Sequence, residues 1–175
     1  MDRRTLISAG AMVGAIAASR VAAAPAGARS ISHEDFVEIQ QLYAEYCHAL
    51  DRGDGDRFAA VWTEDGEFTG GRGPGRANEA RTPRKGSMAL KAMGTTSGTR
   101  HFNANLVVTP TPDGAKGSVY LMLYTARTNP PSFVETAIYD DTLVKTAQGW
   151  KFKKRVVWRD DDDITPFKPK PLPAR

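Results

Sequence analysis

The second half of the chain contains four runs of β-forming residues separated by very short breaks. The runs cover residues 99–109, 116–128, 132–146 and 150–159. The breaks hold turn-forming residues: the Pro-Thr-Pro-Asp-Gly segment at 110–114, Asn-Pro-Pro at 129–131 and Gln-Gly at 148–149. Short connections of this kind favour antiparallel hairpins, so this half of the chain is predicted to form a β-meander.

The first half carries helical patterns. Ser32 followed by Asp35 suits a capping box, and the spacing of the next apolar residues predicts a helix from His33 to Asp51 that stops at Arg52-Gly53. Asp54 is a candidate cap for a second, short helix, and residues 87–93 predict a third. Between them, residues 64–66 are expected to form a turn and residues 67–69 a short strand.

Helices followed by an antiparallel sheet predict an α+β domain. A long helix laid against a strongly curved sheet encloses a cone, and a cone offers a pocket. The 175-residue chain is long enough for one such domain, predicted at residues 29–165. The Gly-, Arg- and Pro-rich segment 70–86 is expected to be a long loop, and the Pro/Lys-rich tail 166–175 to be extended.

The first 28 residues are predicted to be a cleaved export signal. Arg3 and Arg4 precede a short apolar stretch at 6–18, which is followed by small residues suited to signal cleavage. The arginine pair and the Gly/Ala-rich apolar stretch resemble a bacterial twin-arginine signal, which implies a periplasmic or exported protein. The apolar stretch is too short for a bilayer-spanning helix, so no stable membrane anchor is expected.

Charge and cysteine content exclude several functions. The formal charge of the chain is +4, and without residues 1–28 the balance is 21 basic to 19 acidic residues. A domain so near neutrality has no electrostatic case for binding nucleic acid. Cys47 is the single cysteine, so neither an internal disulfide nor a Cys-rich metal site is expected.

Several segments, in their order along the chain, resemble the SnoaL-like branch of the NTF2-like superfamily, which includes scytalone dehydratase, polyketide cyclases and, more distantly, ketosteroid isomerase. The resemblance covers residues 32–160 and rests on LYAEYCHALDRGD at 42–54, FAAVWTEDG at 58–66, TRHFNAN at 99–105, YDDTL at 139–143 and GWKF at 149–152. It implies an α+β cone that holds an apolar substrate and moves protons without a metal or organic cofactor.

The resemblance also implies site residues. Asp51 matches the dehydratase aspartate late in the first helix, His101 matches one of its sheet histidines, and Tyr46 falls where the family places a pocket aromatic. The chain departs from the dehydratase in having no second sheet histidine and in having Leu50 where the dehydratase has a tyrosine. Other members of the superfamily release formaldehyde from lignin-derived aromatic dimers.

Residue spacing gives a separate physical argument. Helical spacing places Asp51 on one face with Tyr43 and Cys47. Strand alternation places His101, Asn103, Asn105 and Val107 on one face of the strand, with Arg100, Phe102, Ala104, Leu106 and Val108 on the other. In a cone interior Asp51 would meet His101, fix its tautomer and raise the imidazole pKa. The alternatives are that Asp51 caps the helix or faces solvent, and that the polar strand face is solvated.

Further side chains are candidates for substrate contact. Asn103 is a candidate for orienting substrate or stabilising an oxyanion. The aromatic candidates for the pocket wall are Trp62, Phe68, Tyr120, Tyr124 and Tyr139. The acidic run at 160–163 is interpreted as a solvated charge run rather than a metal site. Catalysis by Cys47 with His48 is excluded, because adjacent helical residues point about 100° apart.

The sequence thus predicts a cofactor-independent lyase or dehydratase for a small hydrophobic, hydroxylated aromatic compound, including the formaldehyde-releasing type. Asp51 and His101 would be the acid/base pair and Tyr46 an assisting phenol. An isomerase that shifts a proton beside a carbonyl and a non-catalytic small-molecule binding module are the alternatives. A homodimer is expected, because the open face of such a sheet carries apolar residues.

Overall fold

The computed structural model describes residues 30–70, 83–95 and 98–160. Three predictions therefore lie wholly or largely outside the described residues: the export signal at 1–28, the loop at 70–86 and the tail at 166–175. Asp161 to Asp163 of the acidic run also lie outside them. Within the described ranges, no helix has both the length and the apolar character that a membrane span requires.

The long helix α1 spans His33–Arg52, as its capping residues predict. The Ser32 side chain accepts a hydrogen bond from the Asp35 backbone N–H at 3.0 Å, which satisfies one of the free donors of the first turn. Gly53 closes the helix with φ 71°, a left-handed conformation that glycine adopts without steric cost. The Asp35 carboxylate accepts hydrogen bonds from the Trp150 indole at 2.7 Å and the Lys145 ammonium at 2.6 Å, which tie the helix start to the sheet.

Two short helices follow the prediction closely. Helix α2 spans Gly55–Ala60 and is capped by the Asp54 side chain, which accepts from the Arg57 backbone N–H at 3.0 Å. Helix α3 spans Gly86–Gly94. These two helices pack against each other and α3 packs against the first strand, so they cover one end of the sheet.

One curved sheet of six strands carries the rest of the described chain, which confirms the α+β prediction. The strands are β1 Trp62–Thr69, β2 Arg84–Lys85, β3 Thr99–Thr111, β4 Gly114–Thr125, β5 Ser132–Thr146 and β6 Gly149–Arg159. Their order is β2-β1-β6-β5-β4-β3, and β3 to β6 form the predicted antiparallel meander. Helix α1 lies against the meander, and most core residues are buried between the two.

Strand β1 differs from the prediction of a turn and a short strand. It is continuous from Trp62 to Thr69 and pairs in parallel with β6. Trp62 lies opposite Phe152 and Glu67 opposite Lys154, so the register between the two strands shifts within this stretch. The segment at 64–66, expected as a turn, is therefore accommodated as an irregularity within a strand, with Gly66 packed tightly against Leu90.

Strand β3 corrects the predicted side-chain alternation. The prediction holds from His101 to Asn103, but the pairing with β4 shifts between Ala104 and Val107. Asn105 there has φ 58°, so one extra residue forms a β-bulge. Beyond the bulge the faces exchange: Leu106 and Val108 pack on the core, whereas Val107 is 40% exposed.

Candidate active site between the first helix and the edge strand

Asp51 and His101 are in direct contact. Asp51 lies one residue before the end of α1, and His101 lies near the start of β3. The imidazole Nδ1 is 2.6 Å from Asp51 Oδ1, and the His101 backbone N–H donates to Oδ2 at 3.0 Å. The Thr99 hydroxyl also donates to Oδ1, at 3.2 Å. The side chains of His101 and Asp51 are only 9% and 10% exposed, so little solvent competes with these bonds.

The contacts of Asp51 determine the tautomer of His101. Burial raises the pKa of the Asp51 carboxyl, but the hydrogen bonds from the His101 side chain and backbone outweigh it and leave the pKa below its ordinary value. Asp51 is therefore an ionised, acceptor-only group near neutral pH. The Nδ1 atom of His101 must carry the proton that it shares with Asp51, which leaves Nε2 to accept or return a proton.

Two cavities open where α1 meets β3, and His101 lines both. The larger is about 410 Å³ and the smaller about 340 Å³, within the range of small-molecule sites. Both are also lined by Cys47, His48 and Phe102. Asp51 lines the smaller one, together with Arg52 and Arg100, and Asn103 lines the larger one. The Asp51–His101 pair thus lies beside spaces that a small molecule can enter.

Asn103 presents a donor next to His101. The Cys47 thiol donates to Asn103 Oδ1, with Sγ and Oδ1 3.1 Å apart. Burial raises the pKa of that thiol to about 12, so it remains a protonated donor. The Asn103 Nδ2 atom is buried and has no hydrogen-bond partner among the described residues. A buried donor left unpaired in this way gains stability if an oxygen atom of a ligand reaches it.

Tyr46 lies behind His101, in the core. It is 1% exposed, and its ring centroid is 6.4 Å from that of His101 in an edge-on arrangement. Burial raises the pKa of the Tyr46 phenol, and the positive charge of Arg155 opposes that effect only in part. The phenol therefore keeps its proton, and it lines neither of the two cavities described above.

The other predicted pocket aromatics separate into two groups. Trp62, Phe68 and Tyr139 are buried, and Trp62 and Tyr139 surround Tyr46 with ring centroids 6.1 and 6.2 Å away. Tyr124 packs instead on Phe102 and Phe133 on the outer face of the sheet, opposite to the face that carries His101. The structure therefore brings Asp51, His101 and Asn103 together, places Tyr46 behind them, and leaves Tyr124 apart.

A buried ion pair lies deeper in the cone, and sequence reasoning missed it. Arg155 is fully buried, and its Nε and Nη2 atoms each donate to the Asp141 carboxylate at 2.7 Å. The Tyr43 hydroxyl donates to the same carboxylate. Gly117 lies opposite Asp141 on β4, and a Cβ there would collide with the Tyr43 hydroxyl, which explains the glycine within a strand.

The aromatic rings around Arg155 complete this cluster. Its guanidinium carbon is 4.1 Å from the ring centroids of both Tyr46 and Tyr139 and 4.4 Å from that of Phe152. Such contacts stabilise a desolvated cation. Burial lowers the pKa of Arg155, but the Asp141 carboxylate more than reverses this, so the guanidinium is charged. The cluster joins α1 to β5 and β6, and its members Arg155 and Tyr139 pack against the Tyr46 ring.

His48 is a second residue that the sequence did not place in the site. It is exposed on α1 and lines both cavities together with His101. Its neighbour Cys47 is bonded to Asn103 rather than to an imidazole, in keeping with the exclusion of a Cys–His pair. His48 lies four residues after Ala44, so the two residues share one face of the helix, and both line the larger cavity. This spacing is the sequence feature that could have placed His48 in the site.

Among the described residues, neither a metal cluster nor the basic side chains of Arg84 and Lys85 add to the site. Over the described ranges, no group of three or more His, Cys, Asp or Glu side chains is placed to hold a metal ion. Lys85, in the segment 70–86, pairs with Glu67 at 2.8 Å, and Arg84 of the same segment contacts the Met93 sulfur. Arg72, Arg76 and Arg81 lie outside the described residues.

Comparison with solved structures places the architecture among known proteins. The chain is similar to Aln2 from a Streptomyces species, with 26% identity and a TM-score of 0.63 over 76% of this chain and 96% of that one. It is similar to a protein from Catenulispora acidiphila in complex with S-DNPA, with 26% identity and a TM-score of 0.59 over 72% and 93%. An NTF2-like protein with a cystatin-like fold from Novosphingobium aromaticivorans shares the fold, with 24% identity and a TM-score of 0.63 over 75% and 85%.

Sequence comparison gives the family. No curated protein sequence matches the chain significantly. The SnoaL-like domain family matches residues 32–156. This range includes α1, both members of the Asp51–His101 pair, and all of the meander except the last three residues of β6. The chain therefore belongs to the SnoaL-like domain family and has the NTF2-like, cystatin-like fold.

Proposed function

We propose that this protein is a cofactor-independent lyase or dehydratase that acts on a small hydrophobic, hydroxylated aromatic compound. The observation that carries the proposal is the 2.6 Å contact between His101 Nδ1 and Asp51 Oδ1 beside two small-molecule cavities. A histidine whose tautomer is fixed by an ionised carboxylate is suited to general acid/base chemistry near neutral pH. In this site Asp51 is a positioning residue and His101 Nε2 is the atom that moves the proton.

The proposed reaction is an elimination. In a dehydration, His101 Nε2 removes a proton from the carbon next to the one that carries the hydroxyl group. The electron pair of that C–H bond forms the new double bond while the C–O bond breaks. The imidazolium then gives its proton to the departing hydroxyl, which leaves as water, and His101 returns to its starting state. Asp51 stabilises the imidazolium that exists between the two steps.

Formaldehyde release uses the same proton carrier. His101 Nε2 takes the proton of a terminal hydroxymethyl group, the carbon–carbon bond breaks, and the carbonyl of formaldehyde forms. The electron pair of the broken bond passes to the conjugated aromatic part of the substrate, and the imidazolium returns the proton there. Asn103 Nδ2 is a suitable donor to an oxygen that gains negative charge in such a step. Tyr46 packs edge-on against the His101 ring and lines neither cavity, so we assign it as a positioning residue for His101 rather than as an assisting phenol. Trp62 and Tyr139 pack around Tyr46, and Phe68 packs on Trp62, so we assign these three to the support behind the site.

An isomerase is the second candidate, and one observation favours it. His101 and Asn103 lie two residues apart on one face of β3, so a base and a free amide donor are neighbours. A proton shift beside a carbonyl requires these two groups and no leaving group.

The binding-module alternative takes support from the Catenulispora protein, whose structure is a complex with S-DNPA. Membership of the SnoaL-like family does not by itself decide between elimination, isomerisation and binding without catalysis.

The test is product detection by mass spectrometry. The purified, chelator-treated protein is incubated with hydroxylated aromatics that include lignin-type dimers. Asp51→Asn and His101→Ala are expected to lose about 100-fold or more in turnover, the usual size of a general acid/base contribution. His33→Ala is the matched control, because His33 is an exposed histidine at the far end of the same helix.

The mass change identifies the reaction. Loss of water indicates a dehydratase, loss of formaldehyde indicates the carbon–carbon lyase, and an unchanged mass with an altered spectrum indicates the isomerase. Turnover that survives both substitutions would contradict the assignment of His101. No turnover with any compound, while the same compounds raise the melting temperature, would favour the binding module.

A further inference from the structure

Two arginine side chains line the smaller of the two cavities. Arg52 ends α1 and Arg100 precedes His101 on β3, and both line this cavity of about 340 Å³ together with His48. Asp51 is the one acidic residue in the lining, and its carboxylate already accepts hydrogen bonds from Thr99 and twice from His101. The fixed charges that remain in the lining are the guanidinium groups of Arg52 and Arg100.

These guanidinium groups are available to a ligand. Arg100 Nη1 donates to the Thr99 carbonyl at 2.6 Å, and neither Arg100 nor Arg52 has a carboxylate partner among the described residues. A guanidinium carries five donors in a planar arrangement that fits a carboxylate. Apolar surface lies in the adjoining larger cavity, which Ala44, Leu106 and Val119 help to line. An aromatic carboxylic acid fits both features, because its carboxylate can pair with the guanidinium groups and its ring can pack on the apolar lining.

We propose that Arg52 and Arg100 form a subsite for the carboxylate of an aromatic carboxylic acid. The inference rests on the proposed function, because it places the anionic end of the substrate beside the Asp51–His101 pair. The larger cavity shares Cys47, His48, His101 and Phe102 with the smaller one and adds Ala44, Leu106 and Val119. A substrate held by its carboxylate in the smaller cavity extends its apolar part past His101 into the larger one.

Arg52 has a competing structural role. It lies in the last turn of α1, where a cation interacts favourably with the partial negative charge of the helix end. That role predicts a lower melting temperature for Arg52→Gln and no change in ligand preference. A subsite predicts a change in ligand preference whatever the effect on stability.

The experiment compares two probes that differ in charge and little in shape, 4-hydroxybenzoate and 4-hydroxybenzamide. Each is titrated into the full chain while NMR follows the backbone amides of His101 and Phe102. The benzoate is expected to bind about 5-fold or more tightly than the benzamide, as two partly exposed charge contacts allow. Arg52→Gln and Arg100→Gln should each reduce that ratio about 3-fold, and the double variant should abolish it. High salt should weaken the benzoate alone.

Lys116→Gln is the matched control, because it removes one positive charge from an exposed site on β4 away from both cavities. It should leave the ratio unchanged. Equal binding of the two probes, no binding of either, or a benzoate preference that survives in the double variant would overturn the proposal. A preference that depends on both arginines, in a protein with no turnover of any aromatic compound, would support this subsite and count against the proposed reaction instead.

Discussion

Among the described residues, Arg155 is a charged side chain that is completely removed from solvent. It is fully buried, and its charge is balanced by the Asp141 carboxylate and by the faces of Tyr46 and Tyr139. Removing two charges from water costs free energy that their attraction recovers only when the geometry is good. Here both bonds are 2.7 Å long and side by side, which is the geometry that an arginine and a carboxylate favour.

We expect Arg155→Met to lower the free energy of unfolding by about 3–5 kcal/mol, because it leaves the Asp141 charge buried and unpaired. The double variant Arg155→Met/Asp141→Asn removes both charges and keeps an acceptor for the Tyr43 hydroxyl. It should be clearly more stable than Arg155→Met alone. Urea denaturation measures both values, and a double variant no more stable than the single one would contradict the importance of the pairing.

The sequence predicted the contact between Asp51 and His101, but it did not predict the buried ion pair of Arg155 and Asp141. Helical spacing places Asp51 on one face with Tyr43 and Cys47, and the family resemblance marks both Asp51 and His101 as site residues. Asp141, in contrast, is adjacent to Asp140, and the local pattern does not distinguish them. Asp140 accepts from the Trp158 indole on the exposed side, whereas Asp141 points toward Tyr43 and Arg155. The difference arises from α1 packing across the sheet, which is a tertiary contact.

Among the elements, β3 shows how one residue alters the site. The sequence located this strand, its turn and its partner correctly, yet the bulge at Asn105 exchanges the faces beyond it. Alternation of side chains cannot reveal a bulge here, because the residues from Leu106 to Val108 are all apolar and either face could be the buried one. The bulge positions Leu106 to line the larger cavity beside Asn103.

The bulge gives a direct prediction. Asn105→Gly should change stability little, because glycine adopts φ near +60° readily. Asn105→Val should destabilise the protein by about 1–3 kcal/mol, since a β-branched residue is strained there. Val107→Thr, at an exposed position two residues away, is the control. Thermal unfolding compares the three variants, and equal melting temperatures for the glycine and valine variants would show that the bulge does not hold its backbone in solution.

At the scale of the whole molecule, the outer face of the sheet exposes large apolar side chains. Large side chains on β3 to β6 lie there with about half of their area exposed: Phe102 53%, Tyr120 52%, Met122 42%, Phe133 56% and Trp158 48%. A contiguous apolar patch of this kind on a folded protein is typical of an interface. We therefore propose that two copies of the chain pack through this face, as the sequence led us to expect.

The dimer predicts a measurable mass. Sedimentation equilibrium should give about twice the mass of one chain, and Tyr120→Lys should give the mass of a monomer, because a charge at the centre of an apolar interface is desolvated without a partner. Val37→Lys changes a similarly exposed apolar residue on α1, away from the sheet face, and should leave the dimer intact. A monomeric parent protein, or a dimeric Tyr120→Lys variant, would contradict the proposal.

Export is a prediction at the same scale. The twin-arginine pattern at Arg3 and Arg4 lies outside the described residues, and a periplasmic or exported location is our proposal from the sequence alone.

The parallel pairing of β1 with β6 has a consequence for synthesis. Strand β1 begins at Trp62, yet its long partner ends at Arg159, so most of the described chain lies between the two. Until residue 159 has left the ribosome, the only partner available to β1 in this sheet is the two-residue strand β2. Local hairpins of the meander are free to form earlier, because each joins neighbouring segments. The sheet is thus completed only after β6 has been synthesised, and before then chaperones would meet a chain in which the edge of β1 that pairs with β6 is exposed.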